Sequence, residues 1–263
     1  MTNPFDFHGQ TVLVTGGTRG LGLAIGLAFG ARGARVVLTH RWNSADEGEL
    51  ARQFAEVGGV APLIVEADAG DSADTERLLS FLRERRTHID VFVSNVCVAL
   101  PCPDPLTLRE RDLRRTLDWS AWPVVAITRA ITYYLGRAPT RVIATSSDGP
   151  DRCYPGYVPV ALAKAALEAL VATLSRSGQR AFVLRTRHLL TQSLEQMFPD
   201  EAGRLVGRLA RYGVTPEQAG EAAVALASGL LDGLDGRVLT VDRGAPLLDH
   251  ALHVIPLMME GGA

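Results

Sequence analysis

The chain has 263 residues, 47% of them apolar and 21% charged, which supports a sizeable core and excludes a disordered chain. Its net charge of -2 and pI near 6.3 give no electrostatic footprint for nucleic acid or an anionic membrane as partner. Three cysteines, Cys97, Cys102 and Cys153, cannot all pair and lack metal-site spacing with the six histidines, which points to no metal and to reduced thiols in a cytoplasmic protein.

Short apolar runs alternate with longer helical patterns, which reads as βαβ units building a parallel sheet. Thr11–Thr15 is the first predicted strand and Leu21–Arg32 the first helix, with Ala and Leu recurring at helical spacing. Ala34–Thr39 is the second strand and Asp46–Val57 the second helix. Pro62–Glu66 gives the third strand, followed by a helix from about Ala73 to Arg86. Ile89–Ser94 is the fourth strand. Thr107–Leu135 then reads as one long helix, broken or bent near Pro123. Arg141–Thr145 is the fifth strand, with a loop through Pro150 and Pro155 leading to a periodic helix over Val160–Ser175. Arg180–Arg185 is the sixth strand, and Gly236–Asp242 a seventh, preceded by a helix opening at Pro216.

The pattern predicts one domain spanning residues 1–263, a Rossmann-type doubly wound parallel sheet of about seven strands with helices on both faces. The stretch 188–212, with helical segments around Pro199, interrupts the rhythm. An insertion after a strand's C-terminal end is where such a sheet binds its substrate. Asp6, His8 and Thr11 interrupt any apolar run before the first strand, so no signal peptide is expected. No segment reaches the ~18 uninterrupted apolar residues of a membrane span.

Between the first strand and first helix lies Thr15-Gly-Gly-Thr-Arg-Gly-Leu-Gly22. Glycine lets the backbone turn tightly and approach a pyrophosphate seated on a helix N-terminus. The loop therefore offers Gly16, Thr18, Arg19, Gly20, Leu21 and Gly22 to a dinucleotide. A mere tight turn is the plainer reading, and the strand before and helix after count against it. The end of the second strand separates the two nicotinamide cofactors, because a carboxylate there grips a free ribose 2′-hydroxyl. Here Thr39-His40-Arg41-Trp42 holds no acid until Asp46, and Arg19 lies in the glycine loop. Two guanidiniums converging on that spot suit a 2′-phosphate, which favours NADPH. The plainer reading of Arg41 is an exposed loop residue.

Lys164 is the only lysine, every other Lys/Arg position being arginine, and it follows Tyr157 by seven residues. A compact ammonium with three steerable donors, where arginine serves everywhere else, marks a site that needs it.

These motifs resemble the short-chain dehydrogenase/reductase family over nearly the whole chain. The family's glycine motif matches Gly16, Gly20 and Gly22, and its acidic residue beside the adenine matches Asp68, with Ala69 following. Its strand-four motif matches Ser94-Asn95-Val96-Cys97, its serine-bearing strand Thr145-Ser146-Ser147, and its carboxamide-contacting threonine Thr191. The resemblance thus implies cofactor contacts from Asp68, Ala69, Asn95, Val96, Lys164 and Thr191. Three features depart from the pattern. Val160 stands four before the lysine, where most members place the catalytic tyrosine. Ser120 replaces the asparagine of the middle helix, and Thr186-Arg187 a Pro-Gly pair. Tyrosine seven before lysine is the mark of the enoyl-acyl carrier protein reductase branch. The stretches Asp90–Asn95 and Ser146–Leu170 are similar to its NADPH-dependent type III bacterial members, in which Ser147 also falls ten before the tyrosine.

The resemblance implies reduction of the 2,3-double bond of an enoyl thioester, free or carrier-bound, in fatty-acid or polyketide-type metabolism. Tyr157 would hydrogen-bond the enolate oxygen, a preorganised donor worth roughly 3 kcal/mol of barrier. Lys164 would hold the nicotinamide ribose and bias Tyr157 electrostatically. On a helix through both residues, positions 157 and 164 fall two turns apart on one face. Ser147 hydrogen-bonds substrate or only caps its loop. The long helices at 107–135 and 160–175 form the subunit bundle in relatives, so a homo-oligomer, dimer or tetramer, is expected.

Plainer readings stand beside these. Tyr157 is a loop aromatic on the helix start, or Tyr154 is the donor in its place. His188, at the mouth of the site, is a base or a bystander, and Cys97 and Cys153 line the pocket or are small buried fillers. Leu194, Met197 and Phe198 are an ordinary helix face and not acyl-chain contacts. Arg109, Arg111, Arg114 and Arg115 greet an acidic carrier protein or simply face water. Two other functions compete: a ketone or aldehyde reductase with its tyrosine moved to position 157, and a non-catalytic nucleotide-binding subunit, for which Ser120 and Cys97 speak.

Overall fold

The computed structural model describes residues 3–42, 46–152, 154, 156–187, 189 and 213–241. Among the described residues the strands are β1 Thr11–Val14, β2 Arg35–His40, β3 Leu63–Glu66, β4 Val91–Ser94, β5 Arg141–Ser147, β6 Ala181–Thr186 and β7 Val238–Val241. The α-helices are α1 Gly20–Gly30, α2 Glu47–Glu56, α3 Ser72–Glu84, α4 Glu110–Ser120, α5 Pro123–Leu135, α6 Val158–Arg176 and α7 Pro216–Ala227. The sheet runs in the order β3-β2-β1-β4-β5-β6-β7, with every pairing parallel.

A parallel sheet must be covered on both faces, so its strands read as continuous apolar runs whose side chains alternate between two cores. Val12, Val14, Val36, Leu38 and Val93 join Ile25 and Phe29 of α1 and Ala223 and Leu226 of α7 on one face. Leu13, Val37, Phe92 and Val142 join Leu79 of α3, Ile127 of α5, and Leu167 and Val171 of α6 on the other. Each such leucine, valine or phenylalanine contributes about 1.5–3 kcal/mol on full burial.

The element order follows the sequence expectation. The helical stretch predicted over 107–135, with a break or bend near Pro123, is two helices, the first starting at Glu110 after a 3-10 turn at Pro105–Thr107. The chain breaks at Ala121 and Trp122, whose N–H groups both reach the Leu117 carbonyl, and Pro123 opens α5, where its missing N–H costs nothing. Strand β5 runs to Ser147, two residues beyond the expected end. Helix α6 starts at Val158, with Pro159 in its first turn, and leaves Tyr157 as the residue just outside it. By length and composition α6 is apolar enough to cross a membrane. In this fold it packs against β5, β6 and α4, with Lys164 and Leu167 buried. Apart from Leu189, the predicted insertion at 188–212 lies outside the described residues, as does Asp242.

Strand order reverses between β1 and β4, whose onward connections leave in opposite directions. A crevice opens beyond the C-terminal ends of two such strands. The glycine loop after β1 and Asn95 after β4 stand at its rim.

Candidate functional site

The glycine loop is shaped by two left-handed residues, Gly16 at φ +61° and Gly20 at φ +55°, a region that favours glycine. Gly22 is required by close approach, since a Cβ there would lie 2.3 Å from the Gly16 carbonyl oxygen and 2.6 Å from Asn95 Nδ2. Asn95 stitches β4 to this loop. Its Nδ2 donates to the carbonyls of Thr15 and Gly16 at 3.1 and 3.2 Å, and its N–H to Thr15 Oγ1 at 3.0 Å. Val96 packs its side chain beneath Gly16. Thr18 is buried and Leu21 half-buried at the start of α1. That helix begins with no side-chain cap and no acid in its first turn, which leaves its first N–H groups and its positive dipole end for an anion. The donors and the missing Cβ atoms fit a dinucleotide pyrophosphate.

At the end of β2, Arg41 Nη1 pairs with Asp68 Oδ2 at 2.9 Å. The guanidinium also lies 4.2 Å from the Trp42 ring centroid and 5.6 Å from that of Trp119. The other carboxylate oxygen of Asp68 accepts Trp119 Nε1 at 2.6 Å and the Gly70 N–H at 2.9 Å. The indole fits because residue 70 lacks a Cβ, which would stand 2.6 Å from Trp119 Nε1. The two guanidiniums expected to act alike are therefore unequal. Arg19 is exposed and makes no ion pair among the described residues, whereas Arg41 is matched by an acid. Half-buried Ala69 follows in the same turn. Sequence reasoning missed Trp119 and Gly70; the signal was an indole inside an arginine-rich helix and a glycine two residues past Asp68.

Beyond β5 the structure brings Ser147, Tyr157 and Lys164 to one end of the sheet. The Tyr157 hydroxyl donates to Ser147 Oγ at 3.2 Å, and the Gly149 N–H donates to the same oxygen at 3.3 Å. Ser147 thus both caps its loop and holds the phenol. Gly149 makes room for the ring, since a Cβ there would lie 2.6 Å from Tyr157 Cε1. Burial pushes the Tyr157 phenol above its ordinary value, Cys97 and Asp148 push it further, and the Ser147 bond opposes them. The buried Lys164 ammonium is turned to the Thr145 carbonyl, 2.8 Å away. Tyr154 donates to Asp148 Oδ2 at 2.7 Å and sets its ring edgewise to Tyr157, centroids 6.0 Å apart. Burial first, then the Asp148 bond, raise its phenol as well. Val160 is core.

The remaining candidates separate cleanly. Ser120, buried at the end of α4, accepts the Val98 N–H at 2.9 Å and so braces the segment after β4. Cys97 is exposed, against the expectation of a buried filler, because the chain leaves the sheet there. Cys102 is buried, and its N–H donates to the Gly156 carbonyl at 2.9 Å, tying the same segment to the residue before Tyr157. A cavity of about 340 Å³ beside it is lined by Leu100, Cys102, Leu108, Arg109 and Pro159, among others. Thr186 ends β6 buried, and the Arg187 N–H reaches the Val241 carbonyl at 3.3 Å. Arg109 and Arg111 pair with Asp112 and Arg114 with Glu110, while Arg115 lies over Trp119. Three of the four arginines of that run are thus matched by acids near them in the chain. Cys153, His188, Thr191, Leu194, Met197 and Phe198 lie outside the described residues. Among the described residues no group of His, Cys, Asp and Glu is placed to hold a metal ion.

A further network was not foreseen. Arg185 of β6, buried, reaches Glu168 of α6 with Nε and Nη2 at 3.1 and 2.7 Å and Asp151 with Nη1. Ser146 Oγ donates to the same glutamate at 2.6 Å. The signal was a charged residue inside an apolar strand and an acid one helical turn past Lys164.

Residues 16–246 match the family profile described as Enoyl-(Acyl carrier protein) reductase. The chain is 30% identical to 3beta-hydroxysteroid dehydrogenase 1 of Eggerthella lenta, over 92% of this chain and 95% of that one. It is 25% identical to 3-oxoacyl-[acyl-carrier-protein] reductase of Synechocystis sp., over 89% of this chain and 96% of that one. The solved structure of a gluconate 5-dehydrogenase from Burkholderia cenocepacia J2315, in complex with NADP and tartrate, superposes with a TM-score of 0.77 at 23% identity. The superposition covers 92% of this chain and 96% of that one.

Proposed function

Because the chain belongs to the short-chain dehydrogenase/reductase family and is an oxidoreductase, we propose that it uses NADPH to reduce the 2,3-double bond of an enoyl thioester. The observation that carries this reading is the Tyr157 phenol, seven residues before Lys164, bonded to Ser147 and kept protonated by burial. A neutral phenol is the donor that a developing enolate oxygen needs, and apolar Val160 leaves no second one at the commoner position.

NADPH held by these residues would supply the hydride to the β-carbon, and solvent the proton that the α-carbon takes up. The Tyr157 hydroxyl hydrogen-bonds the thioester oxygen as it gains charge, for roughly 3 kcal/mol of barrier. Lys164, steadied by the Thr145 carbonyl, uses its other donors on the nicotinamide ribose. Gly16, Thr18, Gly20, Leu21 and Gly22 seat the pyrophosphate, and Arg19 and Arg41 meet the 2′-phosphate. Asp68 and Ala69 would flank the adenine, Asn95 and Val96 would add contacts to the cofactor beside the glycine loop, and Thr191 would contact the carboxamide, as the family resemblance implies. The same reading has the protein acting in the cytoplasm as a homo-oligomer, dimer or tetramer, on a free or carrier-bound acyl thioester.

A second reading, reduction of a ketone or aldehyde of the 3-oxoacyl type, is favoured by the Ser147–Tyr157 pair, since two adjacent hydroxyls also suit a carbonyl oxygen. The names of the oxoacyl reductase and hydroxysteroid dehydrogenase relatives lean the same way. Purified protein with NADPH, offered a 2-enoyl thioester and a 3-oxoacyl thioester, separates the readings. Consumption of NADPH with the enoyl substrate is expected. Turnover of the ketone alone establishes the second reading, and cofactor binding without turnover of either favours a non-catalytic subunit.

A further inference from the structure

The two oxygens of Asp68 have different partners. Oδ1 accepts Trp119 Nε1 at 2.6 Å and the Gly70 N–H at 2.9 Å. Oδ2 faces Arg41 Nη1 at 2.9 Å. The carboxylate is nearly buried, with Asp68 at 9% exposure, and two donors on one oxygen stop it from rotating. Arg41, just past the end of β2, is 37% exposed at its side chain. Resting on the reading of this crevice as a nicotinamide dinucleotide site, we infer that Asp68 sets the choice between the phosphorylated and unphosphorylated cofactors by neutralising Arg41.

The argument is one of charge. NADPH and NADH differ by a 2′-phosphate carrying nearly two negative charges, where the other has a neutral hydroxyl. Arg41 attracts that phosphate and Asp68, one side chain further, repels it, so the pair acts at that distance almost as a neutral body. Arg19, with no acid beside it among the described residues, carries the remaining attraction. Adenine contacts are common to both cofactors. A change of charge at Asp68 therefore alters the ratio of the two affinities, whereas a lost adenine contact or a loosened fold alters both alike.

Asp68→Asn is suited to the test. Its amide oxygen can replace Oδ1 toward Trp119 and Gly70, and its NH2 group replaces Oδ2, so the Arg41 pairing is what disappears. Equilibrium dissociation constants for NADPH and NADH, read from cofactor fluorescence, are compared across variants. The ratio Kd(NADH)/Kd(NADPH) is expected to rise at least about fivefold in D68N, and that gain to shrink as salt is added. In Arg41→Gln, which leaves Asp68 bare, the ratio is expected to fall about fivefold or more, and in the D68N/R41Q double variant to return to within about twofold of wild type. Equal changes for both cofactors in D68N, or an unchanged ratio in R41Q should D68N fail to fold, would overturn the inference. A wild-type protein that binds neither cofactor would overturn the dinucleotide reading, and the inference with it.

Discussion

Tyr157 and Ser147 meet through one hydrogen bond, the phenol donating to Ser147 Oγ across 3.2 Å. Tyr154, with its ring edge against Tyr157, donates its hydrogen bond to Asp148 instead. Two phenols thus share one corner, and only one is paired with a neutral hydroxyl that substrate can displace. Tyr157→Phe keeps the ring and removes the donor, so kcat is expected to fall about 10²–10³-fold, with the cofactor Kd unchanged. Tyr154→Phe is expected to change kcat by less than about threefold. Steady-state kinetics beside a cofactor titration reads both, and equal losses in the two variants would cancel the assignment.

Both phenols are raised above the ordinary tyrosine value of 10, with burial as the first cause. Each therefore binds its proton more firmly in the folded than in the unfolded chain. Their contribution to stability is intact below about pH 10 and is lost as pH climbs from there toward the folded-state values. Thermal unfolding between about pH 8 and 11 is expected to show a level Tm that then declines, and the Tyr154→Phe/Tyr157→Phe double variant a shallower decline. Activity that depends on the Tyr157 proton is expected to hold level from about pH 7 to 9, and an alkaline fall centred in that window would assign the donor to another group.

Gly149 is the space into which the Tyr157 ring fits. A methyl group there would stand 2.6 and 2.9 Å from ring carbons Cε1 and Cδ1, and 3.2 Å from Ser147 Oγ. The ring or the loop must move to admit it, and a displacement near 1 Å at a reacting group costs about 10²-fold. Gly149→Ala is expected to lower kcat between about tenfold and a hundredfold while NADPH still binds with wild-type affinity. Unaltered kinetics in a folded G149A protein would show that the ring position is not what sets the rate.

How much of this was legible in the sequence depended on the range of each contact. The strands were, because a sheet covered on both faces spells them as unbroken apolar runs such as Val91–Val93. The last residues of β5 were not, since Ser146 and Ser147 look like loop until Glu168 and Tyr157 are seen to bind them. The glycine loop and the Tyr157–Lys164 spacing are local and could be read directly. The Trp119–Asp68 bond joins residues 51 apart, and Arg185 reaches 17 residues back to Glu168 and 34 to Asp151. Nothing in periodicity or spacing brings those side chains together; only the sheet order does. The exposure of Cys97 escaped for a similar reason, because residue type says little about where a chain leaves its sheet.

Arg185 is the buried charge whose removal should cost the most. It is 3% exposed, grips Glu168 with two nitrogens, and extends to Asp151 in the loop that leads to Tyr157. Arg185→Met leaves the Glu168 carboxylate buried with Ser146 as its remaining donor, and breaking a buried pair from one side costs about 3–5 kcal/mol. Adding Glu168→Gln removes the stranded charge, so the double variant is expected to recover about half of that loss. Asp151, more than half exposed at its side chain, is screened by water, and Asp151→Asn is expected to cost less than about 1 kcal/mol. Urea denaturation of the three variants at neutral pH reads each value. A double variant no more stable than R185M would mean that lost packing around the guanidinium stem, not the unpaired carboxylate, dominates at this junction of β5, β6 and α6.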